Sequence, residues 1–183
     1  MIQRHSLNHK DSHSPKGFLI DLDLAKQINP TVNDTPRPFE PRRRTGTMMF
    51  MAIEILEGSA QHTWRHDLES FLYVLIWVCV TAAVDSNRNA RRALAESWSV
   101  KEAATSKLCQ MSQDRKVKQL LSWFAPSMVN GGMTQLVEKI RDVLFPVLDQ
   151  GRGVDTGTLR NRTAVYDLII RHIDEAVDSL EAE

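Results

Sequence analysis

The sequence predicts a mainly α-helical domain with at most a short β-hairpin near its amino terminus. Two observations support this fold class. Phe71 to Val84 is an almost unbroken apolar run, and two later segments, from residue 134 and from residue 165, place apolar residues at helical spacing. A chain of 183 residues suits one domain. We therefore expect these helices to share one hydrophobic core.

The first part of the chain is not helical in pattern. Residues 1–16 are polar, contain three His and three Ser, and are expected to be disordered. Phe18 to Ile20 is a short apolar run that predicts a strand. Gln27 to Arg44 contains four prolines, which remove hydrogen-bond donors and disfavour helix, so an irregular loop is predicted there. Loops of this length are usually functional or disordered.

From residue 48 onward the pattern predicts helices in succession. Met48 to Leu56 is a short helix that Gly58 stops, and Asp67 to Ala83 is the core helix. The later segments are Asn89–Trp98, Lys101–Met111 with a capping box at Ser99 to Glu102, Val117–Phe124 before Pro126, 134–148 with Pro146 as a site for a kink, and 165–180.

Composition excludes several classes of function. The sequence has 23 Lys and Arg residues and 23 Asp and Glu residues, so its formal net charge is zero. The overall charge therefore does not favour binding to nucleic acid or to an acidic membrane. The apolar run from Phe71 is shorter than the roughly 18 residues of a membrane span. The only cysteines, Cys79 and Cys109, make neither a disulfide framework nor a zinc site. With no apolar signal stretch at the start, we expect an intracellular protein, cytoplasmic or nuclear.

Several short motifs occur in a fixed order between residues 17 and 108. They are Phe18-Leu-Ile-Asp-Leu-Asp-Leu-Ala25, Arg44-Thr-Gly-Thr47, Phe50-Met-Ala-Ile-Glu54, His66-Asp-Leu-Glu-Ser70, and Trp98-Ser-Val-Lys-Glu-Ala-Ala104 followed by Lys107. Taken together they resemble the fungal-type protein kinase family, a divergent branch of the protein kinase fold. The resemblance implies a partial kinase-like domain over residues 17–183, made of the carboxy-terminal helical lobe, with residues 21–54 as its activation segment.

The resemblance implies that Asp21 is the metal-binding residue that holds Mg²⁺ against the phosphates of ATP. A carboxylate suits this role because Mg²⁺ prefers oxygen ligands. Leu22 and Asp23 replace the usual Phe and Gly of this motif, so the turn is expected to differ. Without the later motifs, the preferred interpretation of Ile20 to Asp23 is a strand that ends in a turn.

The resemblance also implies that Gly46 and Thr47 position the substrate residue. Glu54 is similar to the Glu of the Ala-Pro-Glu motif, which forms a buried ion pair with an Arg. Because an unpaired buried Glu is costly, a partner is expected. Arg141, Arg160 and Arg162 are the candidates, and the sequence does not choose among them.

Asp67 resembles the Asp that opens the central kinase helix and stabilises the catalytic loop. The alternative, that Asp67 is only a favourable charge in the first helical turn, stays open. His66 is expected to be an ordinary polar residue near a helix start. Arg42 to Arg44 is a basic cluster that reads as a solvated run or as a site for a phosphorylated loop residue.

The parts of a kinase that precede Asp21 are not recognisable in this sequence. It has no glycine-rich phosphate loop, no Val-Ala-Ile-Lys strand and no catalytic Asp with its Asn. His9-Lys-Asp11 is not the catalytic-loop motif, because that motif has an Asn five positions after its Asp and residue 16 is Lys. We therefore expect a fragment or degenerate copy of a protein serine/threonine kinase, inactive alone, with a protein substrate or partner. A non-catalytic protein-binding module and an unrelated all-α interaction domain are the alternatives.

Overall fold

The computed structural model describes residues 47–58, 62–82, 88–146 and 162–181. All of them lie in one of the two compact units of the chain, residues 40–183. A 3-10 helix, Met48–Phe50, is followed by α1 Ile53–Glu57, α2 Trp64–Thr81, α3 Arg88–Trp98, α4 Ala103–Ser112, α5 Asp114–Leu121, α6 Pro126–Asn130, α7 Met133–Leu144 and α8 Arg162–Glu181. The described ranges contain no strand, which confirms the mainly α prediction. The hairpin expected near Phe18 lies outside them.

Helix α2 is the central element, as the apolar run predicted. The side chains of Leu72, Tyr73, Ile76 and Val80 are each 0% exposed. The helix packs against the 3-10 helix, α3 and α7. It begins at Trp64, three residues before the predicted start, because the backbone N–H of Thr63 is capped by the side chain of His66.

The segment before α2 is a 3-10 turn followed by a short helix, where one continuous helix was predicted. Met51, at the end of the 3-10 turn, is extended, with ψ at 142°. The stop at Gly58 is confirmed, since this residue ends α1 in the left-handed conformation with φ at 69°. Met49, Ile53 and Leu56 point into the core. The segment therefore lies against the rest of the domain by its apolar side.

Helices α3, α4 and α5 form one side of the core. Leu94 and Trp98 of α3 are fully buried, as is Ala103 at the start of α4. The capping box predicted at Ser99 to Glu102 is wrong. Helix α4 begins at Ala103, with Glu102 as an N-cap that makes no side-chain hydrogen bond. Helices α4 and α5 pack together across a short break at Gln113.

The last described helices close the other side. Helix α7 ends at Leu144, before Pro146, so the predicted kink is instead a helix end. Helix α8 packs along α7, where Lys139 Nζ lies 2.6 Å from Glu175 Oε2. The ring centroids of Trp64 and Tyr166 are 5.8 Å apart, which places α8 beside the start of α2 as well. In none of the described ranges is a helix both long and apolar enough to cross a membrane.

Candidate functional site

The segment from Thr47 to Glu57 lies on α2 and α4, and its exposed amino-terminal end carries the predicted substrate-positioning hydroxyl. Thr47 is exposed and makes no side-chain capping bond. Its carbonyl oxygen accepts the N–H of Phe50 at 2.9 Å, which closes the 3-10 turn. The following residues Met49, Met51 and Ala52 are buried. Thr47 thus stands at the point where the buried segment meets solvent.

Glu69 on α2 is the first anchor of this segment. Its carboxylate is 0% exposed, and its Oε1 accepts the backbone N–H of Ile53 at 2.8 Å and the hydroxyl of Tyr73 at 2.7 Å. The other oxygen accepts from the guanidinium of Arg65 at 2.6 Å. Three donors on one buried carboxylate satisfy it well, which is the condition for keeping a charge inside a protein.

Arg65 connects this anchor to α7. It is 2% exposed, donates to Glu69 one turn along α2, and also donates to the carbonyl oxygen of Leu144 at 3.0 Å. Its guanidinium carbon lies 5.4 Å from the centroid of the Phe145 ring. The buried ion pair therefore links the start of α1, the middle of α2 and the end of α7.

His66 is the second anchor, and the expectation that it is an ordinary polar residue is wrong. The residue is 1% exposed. Its Nδ1 accepts the N–H of Thr63 at 2.9 Å, and its Nε2 lies 2.8 Å from Oε2 of Glu54. Because Nδ1 is an acceptor, the proton sits on Nε2 and is donated to Glu54. The side chain caps α2 and holds α1 at the same time.

Lys107 on α4 is the third anchor. It is 0% exposed, and its ammonium donates to the carbonyl oxygens of Met48 and Met51 at 3.2 and 2.6 Å. Burial lowers the pKa of this amine from 10.5 to about 7, and the charge of Glu69 opposes the shift. The two methionine carbonyls bracket the 3-10 turn that follows Thr47, so this lysine fixes the turn from the core side.

Asp67 stands apart from these contacts. Its side chain is 68% exposed, lies in the first turn of α2, and is 2.7 Å from Nε2 of His62. This position agrees with the interpretation as a favourable charge at the helix start. The ring centroids of His66 and His62, which contacts Asp67, are 5.9 Å apart. Asp67 therefore lies near the contact between His66 and Glu54 without taking part in it.

The remaining predicted residues are placed as follows. Asp21 and Gly46 lie outside the described residues, as does the loop from Gln27 to Arg44. Among the three arginines considered for Glu54, Arg141 contacts Asp114, Asp142 and the carbonyl of Met111. Arg160 is outside the described ranges, and Arg162 is the first residue of α8. One partner of Glu54 is His66. Over these same ranges, no three His, Cys, Asp or Glu side chains are grouped to hold a metal.

Sequence reasoning missed Arg65, Glu69, Tyr73 and the role of Lys107. A signal was present, because residues 65, 69 and 73 are spaced by four and face the same side of a helix. Opposite charges at this spacing in a very apolar helix indicate a buried pair rather than a solvated one. The predicted start at Asp67 left Arg65 outside the helix, and the pair was therefore not recognised. No such signal identifies the carbonyls that Lys107 binds.

The anchored segment and most of α2 lie within the part of the chain that is similar to a known sequence family. The family model described as Fungal protein kinase matches residues 1–79, which is less than half of the chain. The match ends at Cys79, near the end of α2, so it covers Thr47, Glu54, His66 and Glu69. No curated protein and no solved structure matches the chain.

Proposed function

We propose that the chain is the substrate-holding helical part of an ATP-dependent protein serine/threonine kinase, because its residues 1–79 match the family model described as Fungal protein kinase. By itself the 183-residue chain transfers no phosphate at a useful rate. The observation that supports this function is the three-point anchoring of the segment from Thr47 to Glu57 on α2 and α4. A short segment held by buried charges, with an exposed hydroxyl at its amino-terminal end, suits the positioning of a substrate.

The expected roles follow the family pattern residue by residue. Asp21 would hold Mg²⁺, which together with ATP supplies the phosphoryl group and neutralises its developing charge. The backbone of Gly46 and the hydroxyl of Thr47 would orient the acceptor Ser or Thr of a protein substrate. Glu54 and its partner His66 would keep that segment on the core. Phosphoryl transfer depends mostly on positioning and electrostatics, so the segment's rigidity contributes directly to the rate.

Inactivity of the chain alone follows from its sequence. A kinase needs a catalytic base, a phosphate-binding lysine and a loop over the phosphates. None of these is recognisable in the 183 residues. Asp21 alone would leave most of the transition-state charge without a partner.

Complementation tests this proposal. The purified chain, Mg-ATP and casein are incubated alone and with a separately expressed amino-terminal half of an active member of the same family, ending before its own metal-binding motif. We expect transfer only in the mixture, and we expect Asp21→Ala to abolish it. Asp23→Ala is the matched control, since it removes a neighbouring carboxylate that is not the expected ligand.

Two outcomes would contradict the proposal. Transfer by the chain alone that disappears in Asp21→Ala would show that it is complete enough for catalysis. Transfer in the mixture that is equal for the wild type and Asp21→Ala would show that this chain contributes no metal ligand.

A non-catalytic binding module is the second candidate, and one observation favours it. Phe71, Val74 and Val78 are 43%, 39% and 49% exposed, although they belong to the central helix. Their spacing of three and four residues places them on one face of α2. Exposed apolar rows of this kind recruit a partner or cause aggregation. A monomer on size-exclusion chromatography that binds no hydrophobic dye would count against this candidate.

A further inference from the structure

The ammonium of Lys107 is enclosed by two carbonyls and two aromatic rings. Besides its bonds to Met48 and Met51, Nζ lies 4.3 Å from the ring centroid of Tyr73 and 5.5 Å from that of Trp98. Lysine is almost never fully buried without compensating partners. Here the ring faces and the carbonyl dipoles replace part of the hydration that the ammonium has lost, and the lowered pKa reflects the remainder.

Both rings are held in place by contacts of their own. They meet edge to face, with centroids 5.0 Å apart and planes at 62°. The Tyr73 hydroxyl donates to Glu69 Oε1 at 2.7 Å, and the Trp98 indole N–H donates to Gln110 Oε1 at 2.6 Å. The two rings are therefore held by α2, α3 and α4 through contacts that do not involve the turn.

The turn depends on Lys107, because the ammonium binds the carbonyls of Met48 and Met51, which are the two ends of the turn. The N–H of Met51 donates to the carbonyl of Met48 at 3.2 Å, which is a long bond for a turn of this kind. An ammonium that draws both carbonyls to one point supports this weak closure. Thr47 precedes Met48 directly and shares the turn through its carbonyl, so the direction of its side chain follows from the same closure.

We propose that Lys107 is a positioning residue for Thr47, which acts by holding the turn Met48–Met51 closed from inside the core. The inference rests on the proposed function, since only there does Thr47 touch a substrate. Lys107 itself touches none. Its effect on substrate would pass through the turn alone, and a partner chain is not needed for that effect to be seen.

Amide hydrogen exchange on the purified chain tests the closure without any assay of catalysis. Lys107→Met has similar length and apolar character but donates no hydrogen bond. We expect exchange at the amides of Phe50 and Met51 to rise about tenfold or more, whereas the amides of Ile140 and Leu144 in α7 change much less. Lys107→Arg, which keeps the charge and donors, is expected to restore part of the protection.

A merely structural role predicts a different result. Uniform loss of protection throughout the domain in Lys107→Met, matched by an equal loss of stability in urea, would overturn the proposal, and so would unchanged exchange at Met51. Should Lys107→Met fail to fold, Gln110→Ala is the milder variant. This substitution removes the acceptor of the Trp98 indole N–H without changing a residue of the turn. The same rise in amide exchange at Phe50 and Met51 is expected, and an unchanged exchange rate of the Met51 amide in this variant would also overturn the proposal.

The complemented kinase supplies a second, independent readout. We expect Lys107→Met to raise KM for the protein substrate and to leave KM for ATP unchanged, because the turn orients the acceptor only. Equal changes in both KM values would contradict a positioning role. If complementation gives no activity at all, the proposed function fails, whereas the exchange experiment still decides whether Lys107 holds the turn.

Discussion

Oε1 of Glu69 lies 2.8 Å from the backbone nitrogen of Ile53 and accepts its hydrogen bond, although 16 residues separate the two in sequence. The first N–H groups of a helix have no partner within the helix and need one from elsewhere. Ile53 begins α1, and Glu69 supplies that partner from α2. A buried carboxylate thus serves as the N-terminal cap of the helix that carries Glu54.

Glu69→Gln is expected to lower the free energy of unfolding by about 3 to 5 kcal/mol, because it leaves the buried Arg65 without a counter-charge. Urea denaturation measures the change. The matched control is Glu96→Gln, which breaks the exposed pair of Arg92 and Glu96, and is expected to change stability by less than about 0.5 kcal/mol. Equal effects of the two variants would mean that the Arg65 pair is solvated in solution.

The double variant Arg65→Met with Glu69→Gln separates the charge pair from the rest of the site. Removing both charges avoids an unpaired ion, so the double variant is expected to be more stable than Glu69→Gln alone. A double variant as unstable as the sum of the two single variants would show that the pair itself is not the origin of the loss.

Two substitutions of Glu54 distinguish a hydrogen bond from a charge requirement. Glu54→Gln keeps an acceptor for the Nε2 proton of His66 and is expected to cost less than about 1 kcal/mol. Glu54→Ala leaves that buried N–H without its acceptor and is expected to cost about 1 to 3 kcal/mol. Thermal and urea unfolding of both variants provide the comparison. A larger loss for Gln than for Ala would contradict the proton assignment on His66.

Lys107 predicts a pH dependence of stability with a definite sign. Its pKa is about 7 in the folded chain, whereas the unfolded chain solvates the amine and keeps a value near 10.5. The unfolded state therefore binds more protons above pH 7, so stability rises with pH. From pH 7.0 to 8.5 the expected gain is about 1 to 2 kcal/mol. Urea unfolding at both pH values measures it.

Lys107→Met is the control for this pH dependence and is expected to remove the rise. The charged group that faces the amine is Glu69, which is paired with Arg65, while α3 contributes the uncharged ring of Trp98. Burial raises the pKa of Cys79 from 9.0 to about 11, and this opposes the trend only at higher pH. A gain that persists in Lys107→Met would assign it to another group.

Asp67→Asn is expected to change stability by less than about 1 kcal/mol, because the side chain is exposed and its contact with His62 is also exposed. Denaturant unfolding checks this value. A loss above about 2 kcal/mol would indicate that Asp67 holds a part of the chain beyond the described residues, as a loop-stabilising role requires.

The elements that the sequence predicted well are those in which local pattern and burial agree. The long apolar run specified α2 as a central helix, and Gly58 ended α1 because only a residue tolerant of positive φ fits that position. The predicted start at Asp67 was wrong because a His imidazole replaced the usual acidic side chain of a capping box. Ser99 had the right spacing for a cap, but α4 begins after it.

The contacts of Lys107 were beyond sequence reasoning for a physical reason. Lys107 meets the carbonyl of Met51 at a separation of 56 residues, and backbone carbonyls carry no side-chain signature. The pairing depends on how α4 packs on α2, which the apolar stripes do not specify. The family resemblance singled out Thr47, Glu54 and Asp67, and their exposure differs, since Thr47 and Asp67 are exposed whereas Glu54 is partly buried.

Arg65 and Tyr73 both donate to Glu69 along a single stripe of α2, and the ammonium of Lys107 lies over the Tyr73 ring from α4. Replacing one of them alone strands a polar group in the core, whereas replacing several together does not. Natural relatives should therefore inherit these four positions as a block. A relative with an apolar residue in place of Lys107 should also differ at the positions of Tyr73 or Trp98, and this covariation would show that the anchoring is inherited as a unit.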